Sequence, residues 1–415
     1  MSPQPAADGP QLSPLARTQL VALALCGAVV TANAYYIHPI VAPVADTFGV
    51  SDALIGIVPA MNQMALALGI FFLLPLGDRV SNQTLVRVTV AGQLGAVAMM
   101  ALAQQFWLFV IGSSLLGFFT IAPYLLPAFV SNRVDPGQLG YATAILTTGI
   151  IGGILLARVG AGLIGEFIGW RAVYAVAALL MLAICFFLPR VMTSQGEEQS
   201  AEPCPEESYF ELLQSMCPLI VREPDILVAG AIQGLNFGIF LSVWLGLGLY
   251  LTSSEMGYGV DTVGYLAAVT IVSLVTTPRL GRLADRIGAR RGRVYLASLQ
   301  VGATGLFVLF GHSLGLLIIP LMITNLLGPV IDITGRMTFL SKDAGIRTRL
   351  MTIYIVIMFL GGGAASWAGT LAYDLAGWSG NAGLAIIMAL TMFLLALWDH
   401  IRHKGSLSSG HSAGI

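Results

Sequence analysis

Charge is scarce in this chain: 415 residues carry 20 lysines and arginines and 21 aspartates and glutamates, 10% in all. A soluble domain gives about 25% of its residues to those four types, so an ordinary water-facing surface is excluded. The near-zero balance, with basic residues scattered through short segments, also excludes a nucleic-acid footprint. Cysteine is almost missing. Cys26 and Cys185 fall in apolar runs, Cys204 and Cys217 in a polar segment, and none has metal-ligand or disulfide spacing, so reduced structural thiols and no metal are expected. No GxxxxGK[ST] phosphate loop, metal-binding cluster or Ser-His-Asp arrangement occurs, so no cofactor, ATP-driven step or enzymatic hydrolysis is expected. The opening MSPQPAADGPQLSPLARTQ lacks a basic n-region and a small-residue cleavage site, so the first apolar run is expected to stay in the mature protein.

What abounds is apolar: 56% hydrophobic residues and 48 glycines. An apolar helix of about 20 residues crosses a bilayer, and continuous apolar runs favour helices over a barrel. The runs predict about twelve spans, starting near Thr18, Asp52, Thr84, Phe106, Gly140, Trp170, Pro224, Thr262, Arg293, Leu314, Arg349 and Gly380. With a cytoplasmic N-terminus, only Arg171 of the basic residues falls on the outer side and only Arg158 deep within a span. The positive-inside rule therefore places both termini in the cytoplasm.

The longest polar segment, RVMTSQGEEQSAEPCPEESYFELLQSMCPLIVREPD, divides the spans six and six. Its Pro, Ser and Glu content predicts a linker, with YFELLQSM as a short amphipathic helix on the membrane surface. The expected organisation is a cytoplasmic tail over 1–17, a six-helix bundle over 18–189, a cytoplasmic linker over 190–223, a second bundle over 224–400 and a tail over 401–415. The halves repeat. LPLGDRVS precedes the third span and GRLADRIGARR the ninth; FIGWRAVY follows the fifth and LAGWSGNA the eleventh. Asp78 and Asp285 are 207 apart, Trp170 and Trp378 are 208 apart, and one register fits both pairs. Two parallel six-span repeats form an alternating-access architecture, giving an all-α membrane protein of twelve transmembrane helices in two pseudo-symmetric bundles around a central cavity.

The stretch Gly281-Arg-Leu-Ala-Asp-Arg-Ile-Gly-Ala-Arg-Arg291 resembles, position by position, the signature loop of the major facilitator superfamily, and the resemblance covers nearly the whole chain. It implies gating roles for Gly281, Asp285, Arg286, Gly288, Arg290 and Arg291, the acidic residue meeting a helix N-terminus of the other half. The first-half copy keeps Asp78 and Arg79, with Leu74 and Ser81-Asn-Gln83 in place of the other signature residues. The fifth span, GIIGGILLARVGAGLIG followed by Gly-Trp-Arg, resembles the antiporter signature of drug–proton exchangers without its central Gly-Pro. Ser113 in FVIGSSLLGFF stands where that group has an arginine. First-span ANAYYIHPIVAPVADTFGVS and late RTRLMTIYIVIMFLGGGAAS resemble bacterial arabinose-efflux-like or multidrug-efflux-like permeases. His38 replaces that subgroup's glutamine, and Gly335-Arg336 its Asn-Gln.

In such transporters the first, fourth, seventh and tenth spans face the pore. Their polar and aromatic residues are the candidate substrate ligands: Asn33, Tyr35, Tyr36, Tyr124, Gln233, Asn236, Trp244 and Asn325. Arg158 joins them, because a permanent charge mid-span must turn from lipid toward the bundle or a wet cavity, and no acidic residue lies at its depth. His38, titratable near neutrality, and Asp332, four residues before Arg336, are the candidate proton carriers. The glycine spacing of the fifth and eleventh spans predicts close helix packing.

The expected function is secondary transport of a small organic compound across a bacterial inner membrane, with proton-coupled efflux of an amphiphilic or anionic metabolite or drug as the leading reading. Uptake symport or facilitated entry of an organic acid or siderophore-like metabolite is one alternative. A transport-inactive receptor or scaffold is another. Expected partners are the substrate, protons and membrane lipid, with a monomeric protein and no nucleic acid.

Overall fold

A computed structural model describes residues 17–131, 133–135, 138–193, 209–271, 288–340 and 342–411. These residues form helices and turns, and ten stretches are long and apolar enough to cross a membrane. Each stretch begins within four residues of a start read from the apolar runs. The protein is therefore a multi-pass membrane protein.

The first half contains α1 (Arg17–Ala32), α2 (Ile37–Phe48), α3 (Asp52–Ile55), α4 (Ile57–Leu73), α5 (Asn82–Leu102), α6 (Phe106–Phe119), α7 (Ala122–Ser131), α8 (Leu139–Phe167) and α9 (Trp170–Thr193). The linker supplies α10 (Tyr209–Arg222), an amphipathic helix containing the predicted YFELLQSM. The second half contains α11 (Pro224–Leu251), α12 (Val260–Val269), α13 (Ala289–Phe310), α14 (Leu314–Leu340) and α15 (Ala344–His411). At 1.5 Å per residue, the 68 residues of α15 would run about 100 Å, far beyond a bilayer. Non-helical angles at Ala376 and Gly377 break it into two antiparallel arms. The expected eighth span begins as α12; most of the remainder lies outside the described residues.

Two spans are interrupted at mid-depth. In the first, turns at Asn33–Tyr36 separate α1 from α2. Pro39 is the physical cause: it has no N–H to bond the Tyr35 carbonyl four residues back, and its ring crowds that carbonyl. In the fourth, Thr120 and Ile121 separate α6 from α7.

Glycines set the closest approaches, as their spacing predicts. Gly149 and Gly153 of α8 lie against Ala24 and Ala28 of α1, while Gly361 faces Gly234 across α15 and α11. Ser113, the residue in the arginine's expected place, donates to the Val58 carbonyl at 3.0 Å, and Asn62 donates to the Ser113 carbonyl at 2.8 Å. That position thus binds α6 to α4.

We call the end of the bundle distant from residues 17 and 411 the far end, and the opposite one the near end. At the far end the halves meet through small residues: a Cβ on Gly162 of α8 would come within 3.0 Å of the Gly264 Cα of α12. A side chain on Gly248 of α11 would strike the His38 carbonyl, and one on Gly56 the Thr370 hydroxyl. Glu166 of α8 accepts the Val260 N–H at 2.7 Å, so a carboxylate of one half caps the first turn of α12 in the other.

Candidate functional site

Arg158 is the twentieth residue of the 29-residue α8 and is 2% exposed. It lies about 14 Å from the far end of that helix at 1.5 Å per residue, too deep for its side chain to reach water. Its side chain points between the halves. Nε and Nη2 both contact His38 Nδ1, at 3.1 and 3.0 Å. The guanidinium carbon sits 4.3 Å from the Trp244 ring centroid, 4.6 Å from Phe240 and 5.4 Å from Tyr35. Three aromatic rings and one imidazole thus surround the charge, and among the described residues no carboxylate pairs with it. Cation–π contact at a desolvated site is worth about 2 kcal/mol per ring or more, which helps offset the cost of burying the charge.

His38 is fully buried in the first turn of α2, just past the Pro39-induced break. Its ring stands edge-on to Tyr35, 5.5 Å between centroids. Arginine only donates, so Nδ1 must accept and the ring proton resides on Nε2, in a neutral imidazole. That Nε2 and the Trp244 Nε1 are buried donors with no hydrogen-bond partner. Two buried donors near the guanidinium are thus left without a partner, each at a cost in free energy.

A run of aromatic rings continues from this cage. Phe240 stacks on Phe237 at 5.8 Å and 19°, Phe237 meets Phe359 edge-on at 5.4 Å, and Phe359 meets Tyr124 edge-on at 6.2 Å. Tyr124 belongs to α7 and Phe359 to α15, so the run crosses between the halves. Beside it, Gln233 accepts from Asn236 at 3.0 Å, and Asn236 also donates to the Gly328 carbonyl at 3.0 Å.

The residues chosen from sequence therefore separate. Tyr35, His38, Arg158 and Trp244 come together in one cluster, Gln233 and Asn236 form a neighbouring pair, and Tyr124 stands at the far side of the aromatic run. Asn33 lies in the break, its amide donating weakly to the Val30 carbonyl at 3.5 Å and its Oδ1 buried without a partner. Tyr36 turns the other way, edge-on to Tyr174 inside the first half. Asn325 donates back to its own helix at Leu321, 2.7 Å away. Asp332 is bound to Arg336 at 2.9 Å, the helical ion pair its spacing suggests, and accepts from the Tyr354 hydroxyl at 2.9 Å. That carboxylate is already doubly held.

Of the gating residues, Gly281, Asp285 and Arg286 lie outside the described residues. Asp78 ends the 3-10 turn Pro75–Asp78, with Arg79 following it, half-buried. Gly288 takes φ +90°, an angle that favours glycine, as the chain turns into α13. Arg291 is exposed. Arg290 pairs within its own half, with Asp225 at 2.9 Å and Asp399 at 3.4 Å. Arg293 reaches Asp399 at 3.6 Å, and His403 reaches Asp225 at 3.0 Å. Asp225, Asp399 and His403 bring possible ligand atoms within 4.8 Å of one another, yet the two arginines already supply the positive charge there.

Phe240, Phe237, Phe359 and Glu166 were not among the residues expected from sequence. The aromatics sit in apolar runs that read as core, and Glu166 gives only the signal of an acid at a span end. A cavity of about 360 Å³ lined by Arg17, Leu20, Val134, Gln138, Tyr141 and Ala142 lies at the near end of the first half, away from Arg158.

Comparison with known proteins agrees with this architecture. Residues 23–345 match the family described as Major Facilitator Superfamily. The chain is 25% identical over 377 residues to "Uncharacterized transporter YgaY" of Escherichia coli O157:H7, covering 91% of this chain and 94% of the relative. It is 29% identical over 391 residues to "Probable transporter SCO4007" of Streptomyces coelicolor, covering 92% and 87%. Similarity to "Multidrug resistance protein MdtG" of Escherichia coli is 25% over 222 residues, 52% of each chain.

Proposed function

The chain belongs to the major facilitator superfamily, and from that premise we propose that it is a secondary transporter, not an enzyme, moving a small organic compound across a bacterial inner membrane. Twelve spans follow if Ile346–His403 counts as two and Val260–Val269 opens the eighth. The basic residues of the near-end segments support cytoplasmic termini. On that orientation the far end faces outward, and its small-residue seam and the Glu166–Val260 contact form the closed outer gate.

The observation that carries this reading is Arg158: a buried cation, seated between the halves, held by an imidazole and aromatic rings rather than by a carboxylate. A purely structural arginine is expected to be neutralised by a fixed acid or by carbonyls. We place the substrate's negative group at Arg158 and its apolar body along the aromatic run, with proton coupling through His38. Export is the direction we propose, supported by the similarity to MdtG. A second reading, uptake of an organic acid with a proton, is favoured by one observation. An exchanger of cations for protons needs an acid to hold either, and none of the described carboxylates contacts Arg158 or His38.

The test is flux of a metabolite panel in proteoliposomes of known orientation, with and without a pH gradient. Arg158→Ala should abolish flux at normal membrane expression, and Arg158→Lys should retain part of it, because charge persists without the two-pronged donor edge. Wild-type flux in Arg158→Ala would refute the site.

A further inference from the structure

Resting on the placement of the substrate at Arg158, and on the uptake reading in place of export, we propose that the transported compound is an aromatic organic monoanion and that it binds together with a proton on His38, rather than in exchange for one. The Nε–Nη2 edge is the side of a guanidinium that grips a carboxylate with two parallel hydrogen bonds. Here both donors of that edge converge on the single Nδ1 of His38, at 3.1 and 3.0 Å. Neutral His38 therefore occupies the place of the anion.

Protonation reverses this. A proton can add only at Nδ1, because Nε2 already carries one, and Nδ1 then becomes a donor facing two donors. The imidazolium must leave the guanidinium edge, which frees both N–H groups and leaves two positive charges in a water-poor site. A monoanion answers both changes: its oxygens take the freed edge, and the site returns to the single positive charge it had before. Proton and anion together add no net charge to the buried cluster, whereas either alone adds one. Their binding is therefore mutually favourable, and by reciprocity each raises the affinity for the other by the same factor. An antiport cycle requires the opposite sign.

The surroundings of His38 leave this exchange to Arg158. Tyr35 of its own segment presents a ring edge and Trp244 of α11 lies against the guanidinium. Glu166 of α8 is engaged with Val260 at the far end, close to Asp261 of α12. Tyr174 of α9 faces Tyr36, and Asp52 sits in the short far-end α3.

The class of substrate body comes from what lies next to the charge. Phe240, Phe237, Phe359 and Tyr124 offer consecutive ring faces and edges across the halves and few hydrogen-bond groups, which suits a flat apolar body and not a polyhydroxylated one. Trp244 Nε1 and, once the ring has turned, His38 supply further donors to the carboxylate.

The experiment is calorimetric titration of the purified full-length protein with benzoate, phenylacetate, cinnamate and indole-3-acetate, each paired with its neutral amide, in buffers of differing ionisation enthalpy. At least one acid should bind with uptake of close to one proton, its affinity rising up to tenfold per pH unit as pH falls, and its amide should bind at least tenfold more weakly. His38→Gln keeps a neutral acceptor for Arg158 and so preserves the resting arrangement; it should abolish proton uptake and flatten the pH dependence. Proton release on binding, binding indifferent to pH in the unmodified protein, amides equal to acids, or no binding by any of the four acids would each overturn the proposal. If instead cations or neutral compounds of the wider panel show flux that Arg158→Lys alters, the monoanion proposal falls while the Arg158 site stands. If Arg158→Lys and Arg158→Ala both leave flux unchanged, the site falls with it.

Discussion

Replacing Gly162 by valine tests whether the far-end seam is the gate. In the arrangement described, the new Cβ would lie 3.0 Å from the Gly264 Cα and 3.1 Å from the Val260 carbonyl oxygen, with two methyl groups beyond it and backbone, not a flexible side chain, in the way. Overpacking of this kind costs about 1–3 kcal/mol. The cost falls only on the state in which α8 and α12 touch, so the equilibrium should move toward the far-open state by about 5-fold to about 150-fold. Leu245, fully buried among residues of the other half on the far side of α11, provides the reporter. In a background cleared of the four native cysteines, Leu245→Cys should react with a membrane-impermeant thiol reagent from outside, faster by a comparable factor when Gly162→Val is present. Gly160→Val is the control. It carries the same loss of a helical glycine, but nothing lies within 4 Å of its Cβ. If both valine variants label Leu245→Cys at the same rate, the seam is ordinary helix packing and the gate lies elsewhere.

Three further outcomes are expected. Glu166→Gln retains a weaker acceptor for the Val260 N–H and loses the charge at the helix start, so it should produce the same labelling shift on a smaller scale, about 0.3–1 kcal/mol or up to about 5-fold. Phe240→Leu removes one ring from the guanidinium while keeping an apolar side chain; it should raise the KM for flux several-fold, in line with a cation–π contribution of about 0.5–2 kcal/mol, and an unchanged KM would remove Phe240 from the site. Asp399→Asn leaves Arg293, 1% exposed, without its carboxylate and should lower thermal stability in detergent by the equivalent of about 3–5 kcal/mol, with no specific change in the pH profile of transport.

The span plan was legible because apolar length and loop polarity are local properties: Asp52, Phe106, Trp170, Pro224 and Leu314 open helices where the runs begin. The need for Arg158 to turn inward was legible too, since its depth alone makes lipid exposure costly. Its partner was not. His38 and Arg158 were each singled out for separate reasons, on helices 120 residues apart, and nothing in a linear pattern gives the rotation of one helix against another. The same limit separates Tyr35, in the cage, from its neighbour Tyr36, which packs on Tyr174. Phe240 was hidden because an aromatic in an apolar run has the same signature whether it faces core or cation. Pro39 was a visible cause of the broken first span, although its effect, placing His38 at the start of a new helix, depends on how the chain restarts after the break.

The Gly162–Gly264 contact also has a mechanical meaning. Counted along α8 at 1.5 Å per residue, it stands about 6 Å from Arg158 and about 35 Å from the helix start at Leu139. If the near end opens by the halves turning about this contact while the far end stays closed, α8 is a lever with very unequal arms, and the near end swings about six times as far as the guanidinium. A mouth wide enough to release a bound solute can then open while Arg158 moves little relative to Trp244 and Phe240. The aromatic cage would survive the stroke, ready for the next substrate without being rebuilt.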